Sequence, residues 1–184
     1  MKKLKINNSA YPKALKEIPN PPEKLYVEGN IENLYSPCLA VIGSRNCTEY
    51  GEKWCKHFVK ELVKKDITIV SGMAIGIDSI AHKTALKYGG KTIAVLPCGL
   101  NKIYPIQNMN LYYNILKNDG TVITEYELNT EAEYNRFLER NRIVSGLSMG
   151  ILVVEAAYRS GTSVTARLGI LQKKDVFCIP RKSR

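Results

Sequence analysis

The sequence predicts an α/β fold of the doubly wound kind, with a mostly parallel sheet and a short N-terminal extension. Six short runs rich in β-branched residues recur at nearly even spacing, segments of helical period fill the intervals, and small-residue or glycine-containing loops follow the runs. Apolar character that is continuous instead of alternating marks strands covered on both faces, as in a parallel sheet between two helical layers. A chain of 184 residues suits one such core, burying roughly 70% of the surface its unfolded form exposes.

The elements follow in order. In residues 1–36, Tyr11-Pro12, Pro19-Asn20-Pro21-Pro22 and Ser36-Pro37 punctuate a stretch with one short strand candidate, Leu25-Tyr26-Val27. We expect this part to be an extension laid against a main domain of residues 37–184. The six runs are Leu39–Gly43, Ile67–Ser71, Thr92–Leu96, Thr121–Thr124, Ile151–Val154 and Val176–Ile179. After the first, Tyr50, Trp54, Phe58 and Leu62 stand four apart, with Lys53, Lys56, His57, Lys60 and Lys64 off that stripe, which predicts a helix packed through the aromatic face. After the second, Ile77, Ile80, Ala81, Thr84, Ala85 and Tyr88 repeat the pattern up to the stop signal Gly89-Gly90. Further helices are predicted at about Asn108–Asn118, Asn135–Leu147 and Ser163–Lys173.

Charge and cysteine usage narrow the function. There are 27 Lys plus Arg against 17 Asp plus Glu, a net +10 that suits an anionic partner. The five cysteines are odd in number and form no C-x-x-C pair, against a disulfide framework or a zinc ribbon. No apolar run approaches the length of a membrane span. Met1–Asn8 is charged with no apolar stretch after it, unlike a secretory signal. A cytoplasmic protein with reduced thiols and no membrane contact is expected.

Ligands of open parallel sheets bind beyond the carboxyl ends of the strands. The loops there read Gly43-Ser44-Arg45-Asn46, Ser71-Gly72-Met73-Ala74-Ile75-Gly76, Pro97-Cys98-Gly99 with Tyr104-Pro105, Glu125-Tyr126, and Glu155 followed by Arg159-Ser160-Gly161-Thr162-Ser163. Convergent loops of this kind, opening into helix N-termini, describe an anion pocket. Neither the dinucleotide fingerprint nor a P-loop is present, so no NAD or ATP cofactor is expected. No metal set is evident around His57 or His82, and Asp78 and His82 read as a structural pair one helical turn apart. The segment Asn135–Arg142 holds Arg136, Phe137, Arg140 and Arg142. Guanidinium forks suit phosphate and an aromatic face suits an unpaired base, although a solvated helix face with Phe137 in the core would read the same way.

Together these stretches resemble the DprA/Smf family of DNA-processing proteins. The resemblance runs through Gly43-Ser44-Arg45, Ser71–Asp78 with Ala81-His82, Gly99 with Tyr104-Pro105, Phe137–Ile143 with Gly146-Leu147-Ser148, Val153–Ala156, and Ser160-Gly161-Thr162 with Thr165-Ala166. It covers about Pro12 to Pro180, the family's core without its N-terminal helical or C-terminal winged-helix-like modules. Pro97 stands where the family usually has glycine, and Pro180-Arg181 replaces its usual Pro-Gly. The resemblance implies an extended Rossmann-like fold, a homodimer, single-stranded DNA in a basic strand-end pocket, and help in loading the RecA recombinase during natural transformation or recombination. Carried onto this chain, Ser44, Arg45, Gly72, Tyr104, Phe137, Arg140, Asn141, Arg142, Ser160, Gly161 and Thr162 would line that pocket, and no residue would be catalytic. Two alternatives remain open: a nucleotide sensor, and a phosphoribohydrolase-like enzyme using Glu125 or Glu155 as acid–base carboxylate. Against the enzyme, the motif P-G-G-x-G-T-x-x-E is answered here by Ala157-Tyr158-Arg159-Ser160-Gly161-Thr162 and then Thr165.

Overall fold

The computed structural model describes residues 1–157 and 160–180. Tyr158, Arg159 and Arg181, named above in the last strand-end loop and after the last strand, lie outside the described residues. The six expected runs are six strands: β3 (Cys38–Gly43), β4 (Thr68–Ser71), β5 (Thr92–Val95), β6 (Thr121–Thr124), β7 (Gly150–Glu155) and β8 (Asp175–Cys178). They pair in parallel in the order β6-β5-β4-β3-β7-β8. The helices are α2 (Glu49–Val63), α3 (Ile77–Lys87), α4 (Met109–Lys117), α5 (Tyr134–Leu147) and α6 (Gly161–Leu171).

The N-terminal segment joins this sheet edge-on. Its strands β1 (Lys2–Lys5) and β2 (Lys24–Gly29) extend the sheet antiparallel, β2 beside β6 with Tyr26 opposite Thr124. The short helix α1 (Lys13–Lys16) buries Leu15. Strand β1 escapes a reading by apolar pattern because only Leu4 of its residues is buried, while Lys2, Lys3 and Lys5 point outward. Lysines on an outermost strand deter pairing with another chain.

Winding direction decides which helix covers which face. From β3 to β6 the chain steps steadily to one side, and right-handed crossovers put α2, α3 and α4 on one face. It then returns to the far side of β3 and proceeds through β7 and β8, which puts α5 and α6 on the other face. Successive strand residues serve the two layers alternately. Ala40, Ile42, Val70, Ile93, Val95, Ile151 and Val153 pack with Ile143, Val144 and Leu147 of α5 and with Leu15 of α1. Val41, Ile69, Leu152 and Val154 pack with Cys55 and Val59 of α2 and Ile77, Ala81 and Ala85 of α3.

One helical face differs from its sequence reading. Helix α2 packs through Gly51, Cys55 and Val59, and the aromatic row Tyr50, Trp54 and Phe58 lies one position round, partly in solvent. Gly51 fits directly against the Glu155 side chain and Cys55 sits under Ile77, so the sheet and α3 admit only small side chains there. The rings instead pack against one another, Tyr50 edge-on to Trp54 with centroids 6.1 Å apart and Trp54 tilted against Phe58 at 5.7 Å. Burying a valine is worth about 1.5–3 kcal/mol, so Val59→Ala should destabilise the protein more than the larger truncation Phe58→Ala. Urea denaturation of both variants checks this ordering, and the reverse order would put the aromatic row in the core.

Candidate functional site

The parallel strands reverse their order of addition between β3 and β7, and at such a switch point the two diverging loops leave a crevice. Here the Ser44 N–H donates to the Glu155 carbonyl at 2.8 Å, closing the base of the crevice. Above it lies a cleft of about 870 Å³ reaching from Arg45 and Gly72 to Ser160 and Thr162.

The floor is the loop after β4. The Gly72 N–H and the Ala74 N–H donate to Asp78 Oδ2 at 3.2 and 3.4 Å. From the opposite side Arg140 Nη1 donates to the carbonyl oxygens of Gly72, at 2.5 Å, and of Val95. A Cβ on residue 72 would lie 2.6 Å from that Nη1, so only glycine admits this arginine. Gly76 has φ +81°, which opens the loop into α3, and its own Cβ would lie 2.3 Å from the Ser44 carbonyl oxygen. The Ile77 N–H donates to the same carbonyl at 3.1 Å, tying the loops after β3 and β4 together. Met73, buried at φ +62°, has its carbonyl held by Asn108 Nδ2 at 2.8 Å.

One wall carries the aromatics. Phe137 and Tyr104 meet edge-on with centroids 5.2 Å apart, and the Arg45 guanidinium lies 5.4 Å from the centre of the Phe137 ring. Arg45 and Tyr104 are exposed, Phe137 half-buried. The opposite wall is the start of α6. Ser160 caps it, its Oγ accepting from the Ser163 N–H at 3.4 Å, and Gly161 and Thr162 form the first turn, where amide N–H groups have no partner within the helix.

Ten of the eleven residues singled out from the sequence therefore border one cleft: Ser44, Arg45, Gly72, Tyr104, Phe137, Arg140, Asn141, Ser160, Gly161 and Thr162. Arg142 is elsewhere. Its guanidinium forms a fork on Glu125, both contacts 2.6 Å, and donates to the Asn20 carbonyl at 2.8 Å. Two positions along a helix is a rotation of about 200°, so Arg140 and Arg142 cannot face the same way. Arg142 braces the N-terminal segment against α5 and the end of β6. Two other assignments change. Arg140 is 4% exposed and spent on backbone carbonyls, and Gly72 offers no free N–H donor because Asp78 takes it. Tyr134, 78% exposed on the cleft rim, is an added residue. Its spacing three before Phe137 was the available signal.

The carboxylates are committed too. Glu155 Oε2 accepts from the Thr48 N–H and Oγ1, both at 3.0 Å, at the start of α2, and Glu125 is held by Arg142. Burial pushes the Asp78 carboxyl up and the Arg140 guanidinium down, and the opposite charge of each resists the other's shift.

Residues 2–184 match the family model described as DNA recombination-mediator protein A. The chain belongs to the DNA recombination-mediator protein A family. Its similarity to DprA/Smf proteins extends along most of its length. It is 45% identical to protein Smf of Escherichia coli strain K12, over 96% of this chain and 47% of that protein. It is 41% identical to DNA processing protein DprA of Streptococcus pneumoniae R6, over 95% of this chain and 61% of that one. The chain thus spans about half to three fifths of these curated relatives. The solved S. pneumoniae DprA structure superposes with TM-score 0.94 at 39% identity, over 98% of this chain and 63% of that chain. A Helicobacter pylori DprA structure, described for its single-stranded DNA binding mode, gives TM-score 0.89 at 34% identity, over 99% and 82%. A molybdenum cofactor binding protein from Rippkaea orientalis, 18% identical with TM-score 0.55 over 77% and 75%, shares the fold alone.

His82 does not bond Asp78. Its Nδ1 lies 2.7 Å from Thr92 Oγ1, whose own proton goes to the Ile69 carbonyl at 2.8 Å. Nδ1 must therefore carry the ring proton, leaving Nε2 unpartnered in the interior. Burial, with the Arg140 charge adding to it, pushes the imidazole down from 6.5 to about 3. Between these values the unfolded chain binds a proton that the folded protein refuses. Stability is therefore complete above about pH 6.5 and falls toward pH 3, by at most about 1.4 kcal/mol per pH unit. Denaturant midpoints at pH 7 and pH 5 should fall apart more for the unmodified protein than for His82→Gln. Equal losses would remove His82 from the acid response.

Proposed function

We propose that this chain binds single-stranded DNA in the strand-end cleft and acts without turnover as a recombination mediator that helps load RecA in the cytoplasm. The observation that carries this reading is the Arg45–Phe137–Tyr104 group on the cleft wall. It sets a guanidinium for phosphate beside ring faces for unpaired bases, a combination that duplex DNA, with its bases already stacked, cannot use. Ser44, Asn141, Ser160, Gly161 and Thr162 supply polar contacts around it, Arg140 and Gly72 form the floor, and the +10 charge supplies long-range attraction. The binding mode described for the H. pylori relative supports the same partner. The commitment of Glu125 to Arg142 and of Glu155 to the start of α2 supports a binder over a hydrolase.

Single-stranded oligonucleotides should bind more tightly than blunt duplex at moderate salt, and equal affinity would overturn the reading. Removing the Arg45 contact should cost about 1.5–3 kcal/mol of binding. It should also lower the slope of log affinity against log salt by about 0.7. Fluorescence anisotropy across a salt series, with melting temperature on the same Arg45→Ala sample, checks this. An unchanged slope with a lowered melting temperature would make Arg45 a brace for its loop.

We also propose a homodimer. Among the described residues β8 leaves one edge unpaired, with Phe177 exposed on it and Ile170 and Leu171 exposed at the end of α6. Light scattering at micromolar concentration should give twice the chain mass, falling to the single mass in Phe177→Glu. A single mass for the unmodified chain would count against the dimer.

A further inference from the structure

We propose that the groove between α3 and α4 is a second stretch of the DNA path, holding the backbone of a single strand as it leaves the strand-end cleft. This rests on the single-strand reading of the cleft. The groove has a volume of about 510 Å³, and its polar lining is lysine and side-chain amide, with Leu86 and Leu111 between them. Lys83 and Lys87, one helical turn apart on α3, form one side, and Gln107, Asn110, Asn114 and Asn118 form the other. Among the described residues no carboxylate lines it. Both lysines are exposed and have no acidic partner within 4 Å among the described residues. Lysine ammonium groups suit phosphate as point charges, and side-chain amides donate to phosphate oxygens without regard to base.

Position supplies the second observation. Gln107 stands at the top of this groove and also lines the small cavity of about 120 Å³ bounded by Arg45, Tyr104 and Phe137. The groove therefore begins at the residue that also borders the aromatic group, next to a strand held there. From Gln107 to Asn118 the helical rise gives a track of roughly 16 Å, room for a few nucleotides. The other flank of α3 contrasts with it. There the same two lysines share a hollow with Glu52, which is paired to Lys56, so a phosphate would meet a carboxylate. The acid-free flank is the one the strand takes.

The test compares oligothymidylates of about six and about sixteen nucleotides, near the lower and upper ends of the footprints of single-strand binding OB folds. The short one occupies the cleft alone and the long one reaches the groove. In Lys83→Gln/Lys87→Gln the salt slope for the long strand should fall by about 1.4, two contacts of about 0.7 each. Affinity for the short strand and the melting temperature should stay unchanged. Asn114→Glu, which sets a carboxylate in the track, should likewise weaken only the long strand. An unchanged long-strand slope, while Arg45→Ala still weakens both lengths, overturns the groove and leaves the cleft standing. Equal weakening of both lengths by the lysine pair also overturns it, because the lysines would then act as bulk charge. If Arg45→Ala affects neither length, the cleft reading fails first and the groove with it.

Discussion

The hold on Gly72 is the constraint around which the cleft is arranged. One buried carboxylate takes its N–H and one buried guanidinium takes its carbonyl oxygen. Neither charge could remain in the interior by itself, since the cost of stripping water from an ion is repaid only by a partner and by complete hydrogen bonding. Asp78 meets that condition through two amides, and Arg140 through two carbonyls and the Asn141 side chain. The two residues belong to α3 and α5, on opposite faces of the sheet. Their shared grip on the β4 loop therefore fixes the two helical layers relative to the strand ends. The Arg45 loop is registered on this assembly through the Ser44 carbonyl, and so is the Arg45–Phe137 contact that the cleft presents.

Topology explains why the cleft lies where it does. A sheet wound in one direction throughout would give a smooth row of strand ends, and reversal between β3 and β7 parts two neighbouring loops. The N-terminal segment contributes at a distance. By adding β1 and β2 beyond β6, it covers an edge that would otherwise expose backbone groups. Arg142 then bonds its Asn20 carbonyl to α5 and to Glu125 at the end of β6. The segment is thereby tied to the helix that carries Phe137 and Arg140, and the cleft wall and the sheet edge share one brace.

The electrostatics divide into a fixed part and a presented part. Carboxylates at the strand ends are occupied internally: Asp78 by backbone amides, Glu155 by the start of α2, Glu125 by Arg142. An anionic ligand entering the cleft meets the exposed Arg45 and the first turn of α6, whose aligned peptide dipoles add positive potential. With these acids occupied internally, the positive groups at the cleft mouth have no free carboxylate of the strand ends beside them.

By itself the sequence determined the fold class and most of the cleft. Continuous β-branched runs of four or five residues suit strands covered on both sides, and strand-end loops of a parallel sheet lie along one edge whatever their separation along the chain. Ten of the eleven residues that the family resemblance implies share the cleft, and those in the strand-end loops do so for this reason. Only the tertiary structure decided how each is used. Adjacent arginines of α5 look alike in sequence, yet Arg140 turns inward to carbonyls and Arg142 away to Glu125, because their faces of the helix meet different neighbours. The aromatic row of α2 has an ideal helical period and still lies outside, because the Glu155 side chain and Ile77 leave space only for Gly51 and Cys55. Strand β1, three lysines around one leucine, carries too little apolar pattern to announce itself and forms because β2 offers it an edge. Periodicity records which residues prefer to leave water, whereas the choice among equally suitable faces belongs to the shape and charge of what they pack against.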